Sequence, residues 1–156
     1  MKKLIAILMM LCLFASLMSF ASAEEETEDP KSLLDIVLLR IEDAKDLVVM
    51  TEDDLYDIIG IDPAECEDFV YLAAADALSG RELIVVIAKD EEAADMAEEM
   101  LNSYLESRLR ETRNYLPDAY QALSVAKVVR SGMCVILSVA APSGDDAEML
   151  LSLTEE

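Results

Sequence analysis

Histidine and tryptophan are missing from these 156 residues, and glycine and proline number only four each. Without histidine there is no Ser-His-Asp triad, no Cys-His dyad, and no His-bearing zinc or haem site. The glycines are scattered at Gly60, Gly80, Gly132 and Gly144, so none builds a phosphate-cradling loop, and large mobile loops have little to be made from. Basic residues are scarce: 12 against 33 acidic ones, a formal net charge of −21. Nucleic-acid affinity comes largely from Lys and Arg on phosphates, so this balance argues against a nucleic-acid partner. What is abundant is carboxylate and aliphatic side chain, the makings of a small acidic domain.

The N-terminus reads Met1-Lys2-Lys3, an apolar run from Leu4 to Phe20, Ala21-Ser22-Ala23, then Glu24-Glu25-Glu26. A positive start, an apolar middle and small residues at the −3 and −1 positions predict a secretory signal peptide at residues 1–23. The expected location is therefore outside the cytoplasm, secreted or at the cell surface. An uncleaved membrane anchor is the alternative, since 17 apolar residues lie near the lower limit for spanning a bilayer. In that case the leader is the chain's only membrane contact. Cys12 lies inside the apolar run and Met10-Leu11 offers no small residue before it, which argues against a lipid-modified cysteine. Cleavage removes Lys2 and Lys3 but no acid, leaving 133 residues with 10 basic against 33 acidic, a net −23. A chain of that length makes one domain and buries roughly two-thirds of its unfolded surface.

Two cysteines remain, Cys66 and Cys134. An even pair in an exported chain permits one disulfide, which would close a loop of about 67 residues and stabilise by about 4 kcal/mol. Two small apolar core residues are the alternative. Neither position favours a reactive thiolate, and Glu65 and Glu67 flanking Cys66 oppose one.

Residues 24–30, EEETEDP, read as a disordered acidic start. Ser32 to Leu47 is apolar on more than one face and predicts a helix, so residues 24–50 form an acidic segment and linking helix ahead of a domain at 51–156. Asp46 to Met50 is too short to classify. Thr51-Glu52-Asp53-Asp54 is a capping-box pattern, Leu55, Ile58 and Ile59 form a stripe, and Gly60 supplies the left-handed stop. Asp62-Pro63-Ala64-Glu65 starts a further short turn. Phe69–Ala75 and Leu83–Ala88 predict two strands joined around Ser79-Gly80.

Asp90 to Arg113 predicts the longest helix, with Ala93, Ala97, Met100, Leu101, Tyr104 and Arg108 on one face and Glu91, Asp95 and Glu98 on the other. Pro117 to Leu123 makes a short helix. Val125–Val129 and Met133–Val139 around Ser131-Gly132 make a hairpin, and Asp145–Leu153 a closing helix. The expected fold class is α+β: a four-stranded mixed or antiparallel sheet built from two strand pairs, with a long helix between them and helices covering one face.

No residue is singled out as catalytic, cofactor-binding or metal-binding. Acid–base catalysis by paired carboxylates needs one group buried and one solvated. Glu82, at the start of an apolar strand, is the first acid to examine for that role, although a strand-end surface position is the expectation. No segment carries the spacing of an EF-hand loop. The Glu91-Asp95-Glu98 row is a solvated acidic face whose repulsion divalent ions would screen. Tyr104 is expected to pack with its hydroxyl in water.

Several local motifs resemble a bacterial family known only as domain of unknown function 4358, whose members are mostly secreted or lipid-anchored proteins of Gram-positive bacteria. They are LYDIIGID at Leu55–Asp62, Glu82-Leu83-Ile84, Lys89-Asp90, Tyr115-Leu116-Pro117 with Tyr120, and the hairpin around Gly132. The likeness spans residues 51–141. The chain departs from it at Met133-Cys134, where a residue such as Tyr is expected, and in an alanine-rich first strand. The resemblance implies an α+β envelope-associated domain and no activity. The leading expectation is a non-enzymatic cell-envelope domain acting through a protein partner, one carrying basic segments drawn to its negative charge. An acidic divalent-cation-binding protein and a carboxylate-dependent enzyme are the alternatives.

Overall fold

Along the central strands, successive apolar side chains fall into two different hydrophobic clusters, so the sheet is buried on both faces. In strand β3 (Glu82–Ala88), Ile84 and Val86 enter one cluster with Tyr71, Val135 and Leu137. Leu83 and Val85 enter the other, with Val70, Leu72, Cys134 and Ile136. This is the period-two alternation of a pleated strand, with both phases apolar because both faces are covered.

The computed structural model describes residues 32–76 and 78–139. The expected signal peptide, the acidic stretch 24–30 and the helix at Asp145–Leu153 lie outside them. Among the described residues the fold is α+β, with strand order β1-β2-β3-β5-β4 and every pairing antiparallel. The other strands are β1 (Val48–Val49), β2 (Cys66–Ala73), β4 (Val128–Ser131) and β5 (Cys134–Ser138). The expected four strands become five, and the open choice of mixed or antiparallel resolves to antiparallel. β1 escaped the sequence because two residues carry no period of their own. It is a strand only through its pairing with Leu72 and Ala73 of β2.

The cover also differs from expectation, since helices lie on both faces. On one face sit helices α3 (Glu91–Thr112) and α4 (Pro117–Val125). A small-residue stripe of Ala93, Ala94 and Ala97, followed by Leu101 and Leu105, turns α3 toward the sheet. On the opposite face sits helix α1 (Leu33–Arg40), continued by a 3-10 turn at Glu42–Asp46. Ser32 caps α1 by accepting a hydrogen bond from the Asp35 amide (3.2 Å). Val37, Ile41, Ala44 and Leu47 close this second core over β2, β3 and β5. Burying Val37 and Ile41 is worth about 1.5–3 kcal/mol each relative to exposure. Four residues of the stretch before β1 thus close one of the two cores against the sheet.

The local punctuation forms as its chemistry dictates. Thr51 and Asp54 complete a reciprocal capping box on helix α2 (Glu52–Asp54), with the Asp54 carboxylate accepting from the Thr51 amide at 2.8 Å. The chain then widens into a π-helical turn, Leu55–Ile59, where the Gly60 amide donates to the Leu55 carbonyl five residues back. Leu55 and Ile59 point into the core and Ile58 outward. Gly60 ends the turn at φ +90°. In the loop before β3, Gly80 has φ +67°, and a Cβ there would lie 2.9 Å from the Ala119 Cβ of α4. Glycine is needed at that point both for its backbone angle and for the close approach of the helix.

Candidate functional site

Glu82 is where sequence and structure part most sharply. Expected at the surface, it is 3 % exposed. As the first residue of the central strand it shares the Ile84 face, beneath the C-terminal half of α3. Two α3 side chains one turn apart reach it. The Tyr104 hydroxyl donates to Glu82 Oε2 at 2.6 Å, and Arg108 Nε faces Oε1 at 3.5 Å. Tyr104 therefore does not have the wetted hydroxyl expected of it. Tyr71, on β2 and also buried, lies in the core cluster against which Tyr104 packs. The backbone of Glu82 is held too, its carbonyl accepting from the Val139 amide at 2.8 Å.

The network is incomplete at one point. Glu82 Oε1 and Arg108 Nε are buried, and neither completes a hydrogen bond within the described residues, although they form an ion pair. Burial pushes the Glu82 carboxyl above the usual carboxylate range, and the Tyr104 hydrogen bond and the Arg108 charge offset this only in part. Burial, followed by the negative charge of Glu82, raises Tyr104, which stays a neutral donor. Tyr71 is raised by burial as well.

These four side chains line a half-open cavity of about 550 Å³. Its remaining wall is mostly apolar: Val48 and Met50 from β1 and its exit, Ile58 from the π turn, and Ala73, Ala74 and Ala75 at the end of β2. Asp76, Gly80 and Arg81 of the β2–β3 loop complete it. Arg81 Nη2 donates to the Asp43 carbonyl at 2.7 Å. A second groove of about 390 Å³ shares Ile58, Tyr104 and Arg108 with the first and adds Met100, Ser103, Ser107 and Glu111. The two form a continuous surface along the C-terminal half of α3.

The other sequence candidates fall elsewhere. Cys66 and Cys134 are both buried, but Cys66 belongs to the α3-side core and Cys134 to the α1-side core. β2 and β5 flank β3 on opposite sides, which puts their backbones about 9–10 Å apart. A disulfide needs Cα atoms within about 7 Å and converging Cβ atoms, so the sheet keeps this pair apart, and no disulfide joins them. Burial, with help from Asp62, pushes the Cys66 thiol up to about 11, leaving it a poor nucleophile. In the Glu91-Asp95-Glu98 row, relief comes from within the chain: Arg130 on β4 pairs with both Asp95 and Glu98. Among the described residues no group of three or more Cys, Asp or Glu is placed to hold a metal ion. Glu82 is also the only acid buried there.

Sequence reasoning gave Glu82 the wrong environment because its partners lie 22 and 26 residues away. The signal was present in the helix: an arginine in an otherwise apolar stripe calls for a buried acid opposite.

A family model described as domain of unknown function (DUF4358) matches residues 41–140. No curated protein and no solved structure matches the chain.

Proposed function

The chain belongs to the DUF4358 family, whose description carries no activity, and on that footing we propose that it is an exported, non-enzymatic domain of the bacterial cell envelope that binds a protein partner. One observation carries this reading: exposed apolar side chains border the groove along α3, with carboxylates beside them. Ile58 is 47 % and Met100 37 % exposed, both line the groove, and Glu111 lies beside them. Asp57 and Glu99 are their exposed chain neighbours. Apolar anchors within a charged rim are the anatomy of a protein-binding surface. The charge suits a partner with basic segments, steered by a field that salt weakens.

Capture of a partner from a cell-envelope extract at low and high salt tests the proposal. The bound protein is expected to be released by salt, and to be lost with the surface double variant Ile58→Lys, Met100→Lys. Capture indifferent to both would overturn it.

A carboxylate-dependent enzyme is the second reading, and the burial of Glu82 with its raised pKa favours it, since general acids are tuned in that way. Asp76 is the other acid on the cavity wall. Product released from an envelope fraction by the native chain, but not by Glu82→Gln, would establish that reading against the first.

A further inference from the structure

We infer that the cavity beside Glu82 binds a small uncharged molecule with a hydroxyl or carboxamide head and an apolar body. The cavity adjoins the groove, sharing Ile58, Tyr104 and Arg108 with it, but its ligand is inferred without reference to the protein partner proposed there.

The head group follows from the two atoms left without hydrogen bonds. Glu82 Oε1 needs a donor and Arg108 Nε needs an acceptor, and they stand 3.5 Å apart. One group that both donates and accepts satisfies them together. A carboxylate offers no proton and is repelled by Glu82; an ammonium offers no lone pair and is repelled by Arg108. Hydroxyls and carboxamides carry both functions and no charge. Burying an unmatched donor or acceptor is costly, so the head that matches both is selected over its charged isosteres.

The body follows from the wall. Val48, Met50, Ile58 and Ala73 give an apolar lining within a volume typical of small-molecule sites. Access follows from the difference in exposure between the two partners. Glu82 is 3 % exposed and its backbone is hydrogen-bonded within the sheet, whereas the Arg108 side chain is 24 % exposed at the boundary of the cavity and the groove. Both unmatched atoms are covered, so ligand entry requires the more exposed guanidinium to yield.

Four probes of one shape test this by saturation-transfer and titration NMR on the purified chain: isoamyl alcohol, isovaleramide, isovalerate and isoamylammonium. The alcohol and the amide are expected to bind saturably, about tenfold tighter than either ion, as one unmatched buried polar group implies. Ala73→Leu, which fills the wall directly across the β2–β3 ladder from Glu82, is expected to abolish binding. Arg108→Met removes the cation paired with Glu82, and the preference is expected to invert toward isoamylammonium, an outcome that simple loss of structure would not give. The inference falls if no probe saturates, if isovalerate binds as well as the amide, or if Arg108→Met leaves the order unchanged. Partner capture in the groove would survive any of these results.

Discussion

The two faces of the sheet are built from the same strands yet handle charge in opposite ways. Under α1, the odd-numbered residues of β3, Leu83 and Val85, meet Val37, Ile41, Val70, Leu72 and Ile136, and no charged side chain is buried. Under α3, the even-numbered phase of the same strand brings in Glu82, and the helix supplies Tyr104 and Arg108 to receive it. The difference lies in the covers. α1 spans eight residues, and its one basic side chain, Arg40, is exposed. α3 spans 22 residues, and its later turns carry long polar side chains over the end of the sheet. A buried carboxylate is tolerated where a donor and a cation reach it together, and one position along the strand Tyr104 and Arg108 lie on the other side of the sheet.

The strongest test moves the charge by that one position. Leu83→Glu places a carboxylate on the buried α1 face, where the nearby Arg81 is already held to the Asp43 carbonyl, and a poorly paired buried charge costs about 3–5 kcal/mol. Urea denaturation is expected to show most of the stability gone; a variant as stable as the native chain would break the comparison.

A smaller effect separates two glycines. Gly80→Ala combines a left-handed backbone with a 2.9 Å approach to Ala119 under the α4 cover, so overpacking of about 1–3 kcal/mol adds to the backbone cost. Gly132→Ala has φ +55° but nothing within 4 Å of the added carbon, leaving only the backbone cost of about 1–2 kcal/mol. Equal losses of melting temperature would show that α4 does not press on that loop.

The smallest effect concerns pH. The folded pKa of Glu82 lies above its unfolded value near 4.5, so its contribution to stability is fully present below that value and is lost as pH rises through the folded pKa. Glu82→Gln removes this titration while leaving Tyr104 an oxygen to bond. Relative to the native chain, the variant is therefore expected to gain melting temperature as pH rises from about 4.5 toward 7. The remaining acids titrate in both proteins and largely cancel in the difference. A relative loss over the same range would mean that Arg108 stabilises the charged carboxylate more than burial opposes it.

The punctuation of this fold was legible because it is local. The Thr51–Asp54 box, the stop at Gly60, the Asp62-Pro63 turn, the long helix opening at Asp90 and the hairpin at Gly132 each rest on interactions within a few residues, and each is present. What stayed hidden depended on distant partners. The side of the sheet that α1 covers was undecidable, because its sequence is apolar on more than one face. β1 had no pattern without β2. The burial of Glu82 required Tyr104 and Arg108, which the helical stripe had placed together without showing what lay beneath them. The row of acids on α3 likewise gave no hint that Arg130, from a strand beyond the helix, would pair with two of them.

The separation of Cys66 and Cys134 by the central strand has a consequence for how the chain matures. An unfolded polypeptide in an oxidising milieu can join these two thiols, but the native sheet has no place for the link. Such a crossbridge would be a covalent trap, fastening opposite layers before either is laid down. Once the strands have zipped, each sulfur is sealed in a different layer, so for a chain exported as proposed, prompt folding would itself guard against being stapled into the wrong shape.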